Sequence, residues 1–470
     1  MEKYDLIIVG AGPSGVFCAY ELIKNKPNSK ILILEKGQPM EKRVCPKRTN
    51  GGKCIGCKTC AITAGFSGSG AFSDGKLTLT EDGETGGYLF DIVGFEEGRR
   101  LIKKTDDIYL EFGAPQKLYG AETTPEIREI RKKAIAADLK LVECPIRHLG
   151  TDGGFEVYTN LQKYLLDNGV EIKFNEPVRD LIMDESNKKV IGVVSDIGTG
   201  NHYYADNVAI GVGRPGADWF ESICKKHNIK TEVGIVDIGV RVECRNEVME
   251  ELNKAMYEAK LILHTPSYDD KVRTFCTNPG GAVSTEVYPD GLVTANGHAY
   301  ADEEKRTNNT NFALLVSKHF TEPFNAPIEY GKHIAGLANK LSGGKVLVQR
   351  FGDIKRYRRS NTERTHRNNL VPTLKDAIPG DLSLVLPKRI MIDIEEMIYA
   401  LDKVAPGIAN DETLLYGVEV KFYSNKVNVD KDFKTNISGL FAFGDGAGVS
   451  RGLIQASANG VKVGEYLSNL

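Results

Sequence analysis

The sequence lacks an excess of charge of either sign. Its 61 lysine and arginine residues nearly balance 63 aspartate and glutamate residues, so the formal net charge is −2. A chain with no net positive charge is not expected to have a nucleic-acid partner. No apolar run approaches the length needed to cross a bilayer, and Met1–Tyr4 lacks the basic and apolar regions of a signal peptide. We therefore expect a cytoplasmic protein without a membrane span.

Cysteine is scarce and unevenly placed. Nine of the 470 residues are cysteines, an odd number, and four of them fall between Cys45 and Cys60. Without an export signal, this distribution argues against a disulfide framework and favours metal or redox chemistry. The length exceeds that of one compact unit, so two domains are expected.

The N-terminal segment carries the strongest pattern. Two β-branched apolar runs predict buried strands, and a stretch with helical periodicity lies between them. A G-x-G-x-x-G loop joins the first strand to the helix, and an acid follows the second strand. This is the dinucleotide-binding fingerprint in its full context. The elements are the strand Tyr4–Val9, the loop Gly10–Gly15, the helix Val16–Asn25, the strand Lys30–Leu34 and the acid Glu35.

Each residue of this fingerprint has a physical task. Gly10 allows a tight turn, Gly12 lets the backbone approach a pyrophosphate, and Gly15 lets the helix close on the strand. The free N–H groups at the start of the helix face the phosphate charge. Glu35 is placed to accept hydrogen bonds from ribose hydroxyls. The pattern therefore predicts a dinucleotide site.

Residues 37–87 lose all periodicity and divide into a cysteine-rich half and a glycine-rich half. A loop of this length inside a domain is usually functional. Cys54, Cys57 and Cys60 have C-x2-C-x2-C spacing, and Cys45 precedes a proline upstream, so four thiolates could hold a 4Fe–4S cluster. Structural zinc, a redox-active dithiol and reduced cysteines without metal are the alternatives.

The middle of the chain, residues 233–386, is β-rich and irregular, as expected for a substrate domain. Strands are predicted at Ile238–Glu243 and Ala282–Tyr288, and helices at Asn311–Lys318 and Ile328–Leu341. The arginine-rich stretch Arg350–Arg367 is interpreted as a solvated basic surface in preference to a pocket for an acidic substrate.

Two further glycine loops follow apolar strands. Gly211–Gly216 has G-x-G-x-x-G spacing, but Pro215 disturbs the loop and no strand ending in an acid follows at the right distance, so we predict no second nucleotide domain. Near the C-terminus, the strand Gly439–Asp445 ends in Gly-Asp, and a glycine loop then leads to the helix Leu453–Leu467.

Three of these segments, Gly10–Gly15, Val208–Gly213 and Gly439–Gly448, together resemble the FAD-binding signature of the glutathione-reductase-type flavoproteins. The chain is also similar, over nearly its whole length, to a family of bacterial FAD-dependent dehydrogenases or reductases. The segments that carry this similarity are the four-cysteine loop, Gly68–Leu77, Phe275–Gly281, Leu415–Tyr423, Gly444–Gly448 and Arg451-Gly452.

The resemblance implies an α/β fold with two parts. The first is a Rossmann-like, glutathione-reductase-type FAD-binding domain assembled from discontinuous segments, and the second is a β-rich α+β substrate domain. We assign residues 1–232 and 387–470 to the FAD-binding domain and residues 233–386 to the substrate domain.

The resemblance also implies a set of cofactor-binding residues. Asp445 is expected to bind the ribityl chain of FAD, and the helix start at Gly452–Ile454 to face the pyrimidine edge of the flavin. The predicted residues are Gly10, Gly12, Pro13, Ser14, Gly15, Glu35, Lys36, Arg43, Ser69, Gly70, Ala71, Phe72, Ser73, Asp74, Val178, Gly213, Gly444, Asp445, Gly452, Leu453 and Ile454.

The function expected from this resemblance is FAD-dependent hydride transfer to or from a small organic substrate, preferably in the reduction of an activated C=C bond. Since no separate NAD(P) domain is predicted, the electron donor would be transiently bound NAD(P)H or a carrier protein such as a ferredoxin. Arg241, His298 and Arg451 are the candidates for proton donor or substrate anchor. A thiol–disulfide reductase that uses Cys54 and Cys57, and a non-catalytic flavin redox sensor, are the alternatives.

Overall fold

Strand and helix alternate at the N-terminus, as the glycine fingerprint predicts. Strand β1 (Lys3–Val9) runs into the glycine loop, helix α1 (Pro13–Asn25) follows, and strand β2 (Ile31–Glu35) ends at the predicted acid. The computed structural model describes residues 3–46, 49, 55, 57–72, 75–80, 87–196, 200–256, 258–288, 291–300, 303–321, 323–324, 326–422 and 425–470.

The other elements follow in chain order. The strands are β3 Lys76–Thr78, β4 Leu118–Tyr119, β5 Lys140–Val142, β6 Ile146–His148, β7 Glu171–Phe174, β8 Val178–Met183, β9 Val190–Ser195, β10 His202–Ile210, β11 Thr231–Glu232, β12 Val236–Arg245, β13 Lys260–His264, β14 Lys271–Asn278, β15 Ala282–Val287, β16 Val293–His298, β17 Asn309–Lys318, β18 Leu347–Arg350, β19 Ile378–Pro379, β20 Leu414–Phe422, β21 Lys426–Val427 and β22 Leu440–Ala442. The α-helices are α2 Leu89–Val93, α3 Phe95–Glu111, α4 Pro125–Ala136, α5 Gly150–Asp167, α6 Ala217–Lys226, α7 Asn246–Ala255, α8 Pro327–Ser342, α9 Phe351–Ile354, α10 Thr362–His366, α11 Lys388–Asp402 and α12 Leu453–Ser468. Short 3-10 turns lie at Met40–Lys42, Gly70–Phe72, Arg214–Gly216, Glu303–Lys305, Leu382–Leu384 and Asp445–Ala447.

These elements form two units, each with its own hydrophobic core. The first unit consists of Met1–Tyr119, Pro145–Glu232 and Ser424–Leu470, and the second of Gly120–Cys144 and Val233–Tyr423. The first is a Rossmann-like α/β unit and the second is rich in antiparallel strands, so the predicted fold class is confirmed.

The sheet of the first unit has the strand order β7-β2-β1-β10-β9-β8, and β22 also pairs with β10. The pairs β1–β2, β1–β10 and β10–β22 are all parallel. The carboxyl ends of β1, β10 and β22 therefore lie at one edge of the sheet, where ligands of such folds usually bind.

The second unit is built on a sheet with the order β19-β18-β20-β12-β17-β14-β13-β5, in which most neighbours are antiparallel. Strand β12 lies between β17 and β20 and is buried along almost its whole length. Strands β15 and β16 pair separately as a hairpin.

The observed division of the chain differs from the predicted boundaries in two places. Residues 387–423 belong to the second unit, because β20 lies inside its sheet and α11 packs on its strands. Residues 120–144 also belong to it, since β5 pairs with β13 at the edge of the same sheet. Sequence alone cannot show either pairing, because both join segments far apart in the chain.

The helix predicted at Asn311–Lys318 is wrong. This segment is part of the central strand β17 (Asn309–Lys318), whose residues from Phe312 to Val316 are all fully buried. A short apolar run buried on both faces has no period, so its pattern does not distinguish a strand from a helix. The helix predicted at Ile328–Leu341 is confirmed as α8.

Among the residues that the structure describes, no helix is both long enough and apolar enough to cross a membrane.

Candidate functional site

Three loops meet at the carboxyl edge of the first unit's sheet. The loop after β1 touches the loop after β10, where the Gly211 N–H donates to the Val9 carbonyl at 3.0 Å. The loop after β22 joins them, since the Gly446 N–H donates to the Val212 carbonyl at 2.9 Å. Gly10 has a φ of +100°, and a Cβ there would lie 3.0 Å from the Gly211 carbonyl oxygen. Only glycine satisfies both conditions at this position.

These loops enclose a cavity of about 580 Å³, formed wholly by residues of the first unit. The second G-x-G-x-x-G segment therefore belongs to the same site as the first. Predicted cofactor residues that line the cavity are Gly10, Gly12, Pro13, Ser14, Glu35, Lys36, Ser69, Gly70, Val178, Gly213, Asp445, Gly452 and Leu453.

Two helices begin at this cavity. Helix α1 starts after Gly12 and α12 after Gly452, and neither start has a side-chain cap or an acid in its first turn. A Cβ on Gly12 would meet only the Gly211 carbonyl, at 3.8 Å, and one on Gly452 would meet nothing within 4 Å. Both helices thus present uncapped N–H groups and the positive end of the helix dipole to a space that a ligand could fill.

The acid after β2 is held by the backbone around it. Glu35 Oε2 accepts from the Ala11 N–H at 2.8 Å, and Oε1 accepts from the N–H groups of Gly37 and Gly65 at 2.9 Å each. The carboxylate lines the cavity although Glu35 is only 6 % exposed. These bonds fix it beside the glycine loop, where it could accept from a ligand hydroxyl.

Asp445 is a second carboxylate of the cavity lining. Burial raises the pKa of its carboxyl, while Arg214, the Ser450 hydroxyl and the Gly452 N–H oppose that shift. The Ser450 hydroxyl donates to Oδ1 at 2.8 Å, and Arg214 Nε lies 3.6 Å from Oδ2. Asp445 is therefore a half-buried acceptor next to the start of α12.

Several predicted cofactor residues do not line the cavity: Gly15, Arg43, Ala71, Phe72, Gly444 and Ile454. A Cβ on Gly15 would lie 2.1 Å from the Gly10 carbonyl oxygen, so this glycine serves helix–strand packing. Ser73 and Asp74 lie outside the described residues. Whether the lining residues bind a cofactor stays a prediction.

Arg43 serves the loop rather than the cavity. Its guanidinium donates to the carbonyls of Ala61 at 2.9 Å, Ile62 at 2.9 Å and Phe66 at 2.5 Å, and to the Ser67 hydroxyl at 3.0 Å. Burial lowers its pKa to about 10, against the attraction of nearby acids. The turn that Arg43 holds continues into Thr63 and Ala64, which line the cavity.

Other lining residues were not predicted from sequence: Thr63, Ala64, Gly68, Glu176, Pro177, Asp196, Arg214, Pro215, Gly216 and Trp219. Most follow β7, β9 and β10, whose carboxyl ends could be placed near the glycine loop only once the strand order was known.

The cysteine loop is described only in part. Cys57 and Cys60 are exposed, Cys45 is half-buried, and Cys54 lies outside the described residues. Burial would raise the pKa of the Cys60 thiol, but hydrogen bonds from Ile62 and Thr63 and the charge of Arg43 lower it overall. Within the described ranges, no three His, Cys, Asp or Glu side chains are grouped to hold a metal ion. The iron–sulfur cluster stays a prediction.

The three catalytic candidates lie in different surroundings. Arg241 in the second unit is fully buried, 3.4 Å from both oxygens of Glu419, and donates to Asn311 Oδ1 at 2.9 Å and to the Cys276 carbonyl at 3.0 Å. His298, in the same unit, is exposed at the end of β16. Arg451 belongs to the first unit and precedes the start of α12. A catalytic role for any of them stays a prediction.

The arginine-rich stretch is only partly a solvated surface. Arg358 and Arg364 converge on the fully buried carboxylate of Asp353, with Nε–O distances of 2.7 and 3.2 Å. The Ser360 hydroxyl donates to the same group at 2.7 Å. These arginines therefore hold the turn that contains them.

The fold defines a protein with a Rossmann-like first unit, whose sheet edge carries the cavity, and a β-rich second unit. Residues 236–422 match the family model described as FAD-dependent protein, C-terminal domain-like. An uncharacterized protein of Clostridium beijerinckii is 26 % identical over an alignment of 484 residues, and the alignment covers 98 % of this chain and 80 % of the relative.

Solved structures of similar fold include three redox enzymes. E. coli quinol fumarate reductase has a TM-score of 0.41 and 16 % identity, over 100 % of this chain and 70 % of that chain. Aspergillus oryzae formate oxidase has a TM-score of 0.46 and 13 % identity, over 100 % of this chain and 98 % of that chain. L-proline dehydrogenase from P. horikoshii has a TM-score of 0.37 and 12 % identity, over 100 % and 94 %.

Proposed function

We propose that the first unit binds FAD and that the protein is an FAD-dependent oxidoreductase. The observation that carries this proposal is the convergence of two uncapped helix starts and two carboxylates, Glu35 and Asp445, on one cavity. A dinucleotide with a flavin at one end needs this combination, namely donors for a diphosphate and acceptors for sugar hydroxyls at separate places. The family match over residues 236–422 supports the same cofactor.

The residues present fit FAD in three places. The N–H groups at the start of α1, after Gly12, would bind the diphosphate, because no side chain caps them. Glu35 would accept from the adenosine ribose, and Asp445 from the ribityl chain. The uncapped start of α12 would stabilise negative charge on the flavin ring. Bound there, the flavin would supply the hydride chemistry.

Substitution of Gly12 by valine tests this assignment. Gly12 has a φ of −73°, which valine also adopts, and its Cβ direction is open toward the cavity. The side chain should therefore fill the space for the diphosphate without straining the fold. We expect the purified wild-type protein to show a flavin absorption spectrum and Gly12→Val to lose most of the bound FAD.

Gly153→Val is the matched control. Gly153 lies in α5 of the same unit, and a Cβ there would meet nothing within 4 Å. This variant should keep the wild-type flavin content. Wild-type protein that binds no FAD, or equal flavin content in both variants, would contradict the proposed site.

A direct screen can identify the substrate and the electron donor. The flavin of the wild-type protein is reduced anaerobically with NADH, NADPH or a reduced ferredoxin, and its reoxidation by enoates, disulfides and quinones is then followed. We propose activated C=C bonds as the first substrates to test. Flavin that none of these donors reduces would count against the oxidoreductase.

A further inference from the structure

The charged side chains that line the cavity differ in their hydrogen-bond partners and in their exposure. Glu35 is occupied by three backbone N–H groups. Glu176, another lining carboxylate, accepts from Asn201 Nδ2 and the Tyr203 hydroxyl at 3.0 Å each. These two acids thus have protein partners, and Asp196 and Asp445 are the other acids of the lining. The lining cations are Lys36 and Arg214, which are both exposed. Lys36 Nζ donates to the Pro215 carbonyl at 3.4 Å. An anionic ligand in the cavity would therefore pair with Lys36 or Arg214.

Arg214 stands out among these groups. It begins the 3-10 turn Arg214–Gly216 directly after Gly213, and 63 % of its side chain is exposed. Among the residues described, its ion-pair partner is Asp445, and the 3.6 Å between Nε and Oδ2 is longer than a hydrogen bond. The guanidinium therefore lines the cavity with N–H donors that make no hydrogen bond to the part of the chain that the structure describes.

The loop that carries Arg214 is tied to the loop that starts α1. Gly211, three residues before Arg214, donates to the Val9 carbonyl, and Gly10 packs on the Gly211 carbonyl. A group bound at the start of α1 would thus lie beside the loop of Arg214. A planar guanidinium suits the paired oxygens of a phosphate, which it binds through two parallel hydrogen bonds.

We propose that Arg214 binds the diphosphate of the dinucleotide and leaves Asp445 when the ligand enters. This inference rests on the proposed function and names a binding residue for it. The exchange frees the carboxylate of Asp445 to accept from sugar hydroxyls. A guanidinium that merely neutralises Asp445 would have no preference for a diphosphate, and this difference can be measured.

The experiment compares three probes on the apoprotein by isothermal titration: FAD, ADP and riboflavin. FAD and ADP contain the diphosphate and riboflavin does not. Arg214→Gln should weaken FAD and ADP by about ten- to a hundred-fold, as expected for loss of a charge-assisted pair, and leave riboflavin within about twofold. Arg214→Lys should recover part of the loss, because it keeps the charge but not the paired donors.

Arg99→Gln is the control for the lost charge. Arg99 lies on α3 of the same unit, away from the cavity lining, and pairs with the exposed Glu96. The Arg99→Gln variant should bind all three probes with the affinity of the wild-type protein. Raising the salt concentration should weaken FAD binding more in the wild-type protein than in Arg214→Gln.

Two results would overturn the inference. One is wild-type affinity for FAD and ADP in Arg214→Gln, and the other is an equal loss for FAD and riboflavin, which would assign Arg214 to the support of Asp445. If riboflavin binds too weakly to measure, ADP alone decides, since it carries the diphosphate without the flavin. Wild-type protein that binds neither FAD nor ADP would refute the proposed function itself.

Discussion

At the scale of single residues, Arg43 illustrates a charge that is buried to organise a loop. It is only 4 % exposed, and its donors are taken by carbonyls of the turn at residues 61–66 and by Ser67. That turn is tied to the acid beside the glycine loop, because the Gly65 N–H donates to Glu35. Arg43 thus acts on the cavity through the backbone of its wall.

Arg43→Ala should loosen this turn. Truncation leaves one buried and two half-buried carbonyls without their donor, a loss of about 3 kcal/mol in local stability. Hydrogen exchange at the amides of Gly65, Phe66 and Ser67 should accelerate by roughly a hundredfold. Arg99→Ala, which removes a surface pair, should leave these rates unchanged. Unchanged exchange in Arg43→Ala would show that other contacts hold the turn.

Residues were predictable from sequence where their task is local. Gly10, Gly12 and Glu35 follow from a spacing that a single strand–loop–helix unit fixes, and all three line the cavity. Arg214 and Trp219 could not be found in this way, because they reach the cavity only through the pairing of β1 with β10. Arg43 was predicted as a cofactor residue, yet its bonds inside the loop are a tertiary feature that no local pattern shows.

At the scale of elements, the packing of α1 on α12 decides how closely the two helix starts approach. A Cβ on Gly460 of α12 would lie 2.1 Å from the Ser14 carbonyl oxygen and 2.9 Å from the Cys18 nitrogen, both backbone atoms of α1. Neither helix can give way without moving its start at the cavity.

Gly460→Ala and Gly336→Ala should therefore have opposite effects. Both glycines are inside helices, but a Cβ on Gly336 of α8 would meet nothing within 4 Å. Gly336→Ala should raise stability by up to about 1 kcal/mol through helix propensity. Gly460→Ala should lower it by about 2 kcal/mol or more through overpacking, and weaken FAD binding. Thermal unfolding with flavin content measures both effects, and equal signs would contradict the packing argument.

Helix α11 docks through a pair of carboxyl groups. Asp393 is fully buried and accepts from the Thr265 hydroxyl at 2.8 Å. It shares a hydrogen bond with Asp270. Lys318 and Arg389 both contact Asp270. Burial and the neighbouring Asp270 raise the pKa of Asp393 to about 6. The pKa of Asp270 falls to about 2, because Arg389 and Lys318 outweigh its burial.

Asp393→Asn should reveal this titration. Since the folded state favours protonated Asp393, its contribution to stability is complete below about pH 4 and is lost as the pH rises through about 6. Asparagine imitates the protonated form at every pH. The stability of Asp393→Asn minus that of wild type should thus rise by about 2 kcal/mol from pH 4 to pH 6 and then level off. Asp107→Asn changes a surface residue and should show no such rise when thermal unfolding is measured over the same pH range. If the stability of Asp393→Asn minus that of wild type does not change with pH either, the shared proton is refuted.

At the scale of the whole molecule, the class of fold was predictable and the division of the chain was not. Periodicity and glycine spacing identify a Rossmann-like part and a β-rich part. The membership of residues 120–144 and 387–423 depends on strand pairs such as β5–β13 and β12–β20, which join distant segments. The result is two separate cores, each assembled from pieces that are not contiguous in sequence.

This division predicts how a ligand should affect unfolding. The chain has one tryptophan, Trp219, which lies in the first unit and lines the cavity. Its fluorescence therefore reports on that unit alone, whereas circular dichroism reports on both. FAD at a hundred times its dissociation constant should stabilise the unit that binds it by about 2.7 kcal/mol. The fluorescence transition should then move to a higher temperature, while part of the dichroism transition stays in place.

FAD should also quench the fluorescence of Trp219, and both the quenching and the shift of the fluorescence transition should vanish in Gly12→Val. If FAD shifts the two signals equally, the two cores unfold as a single cooperative unit.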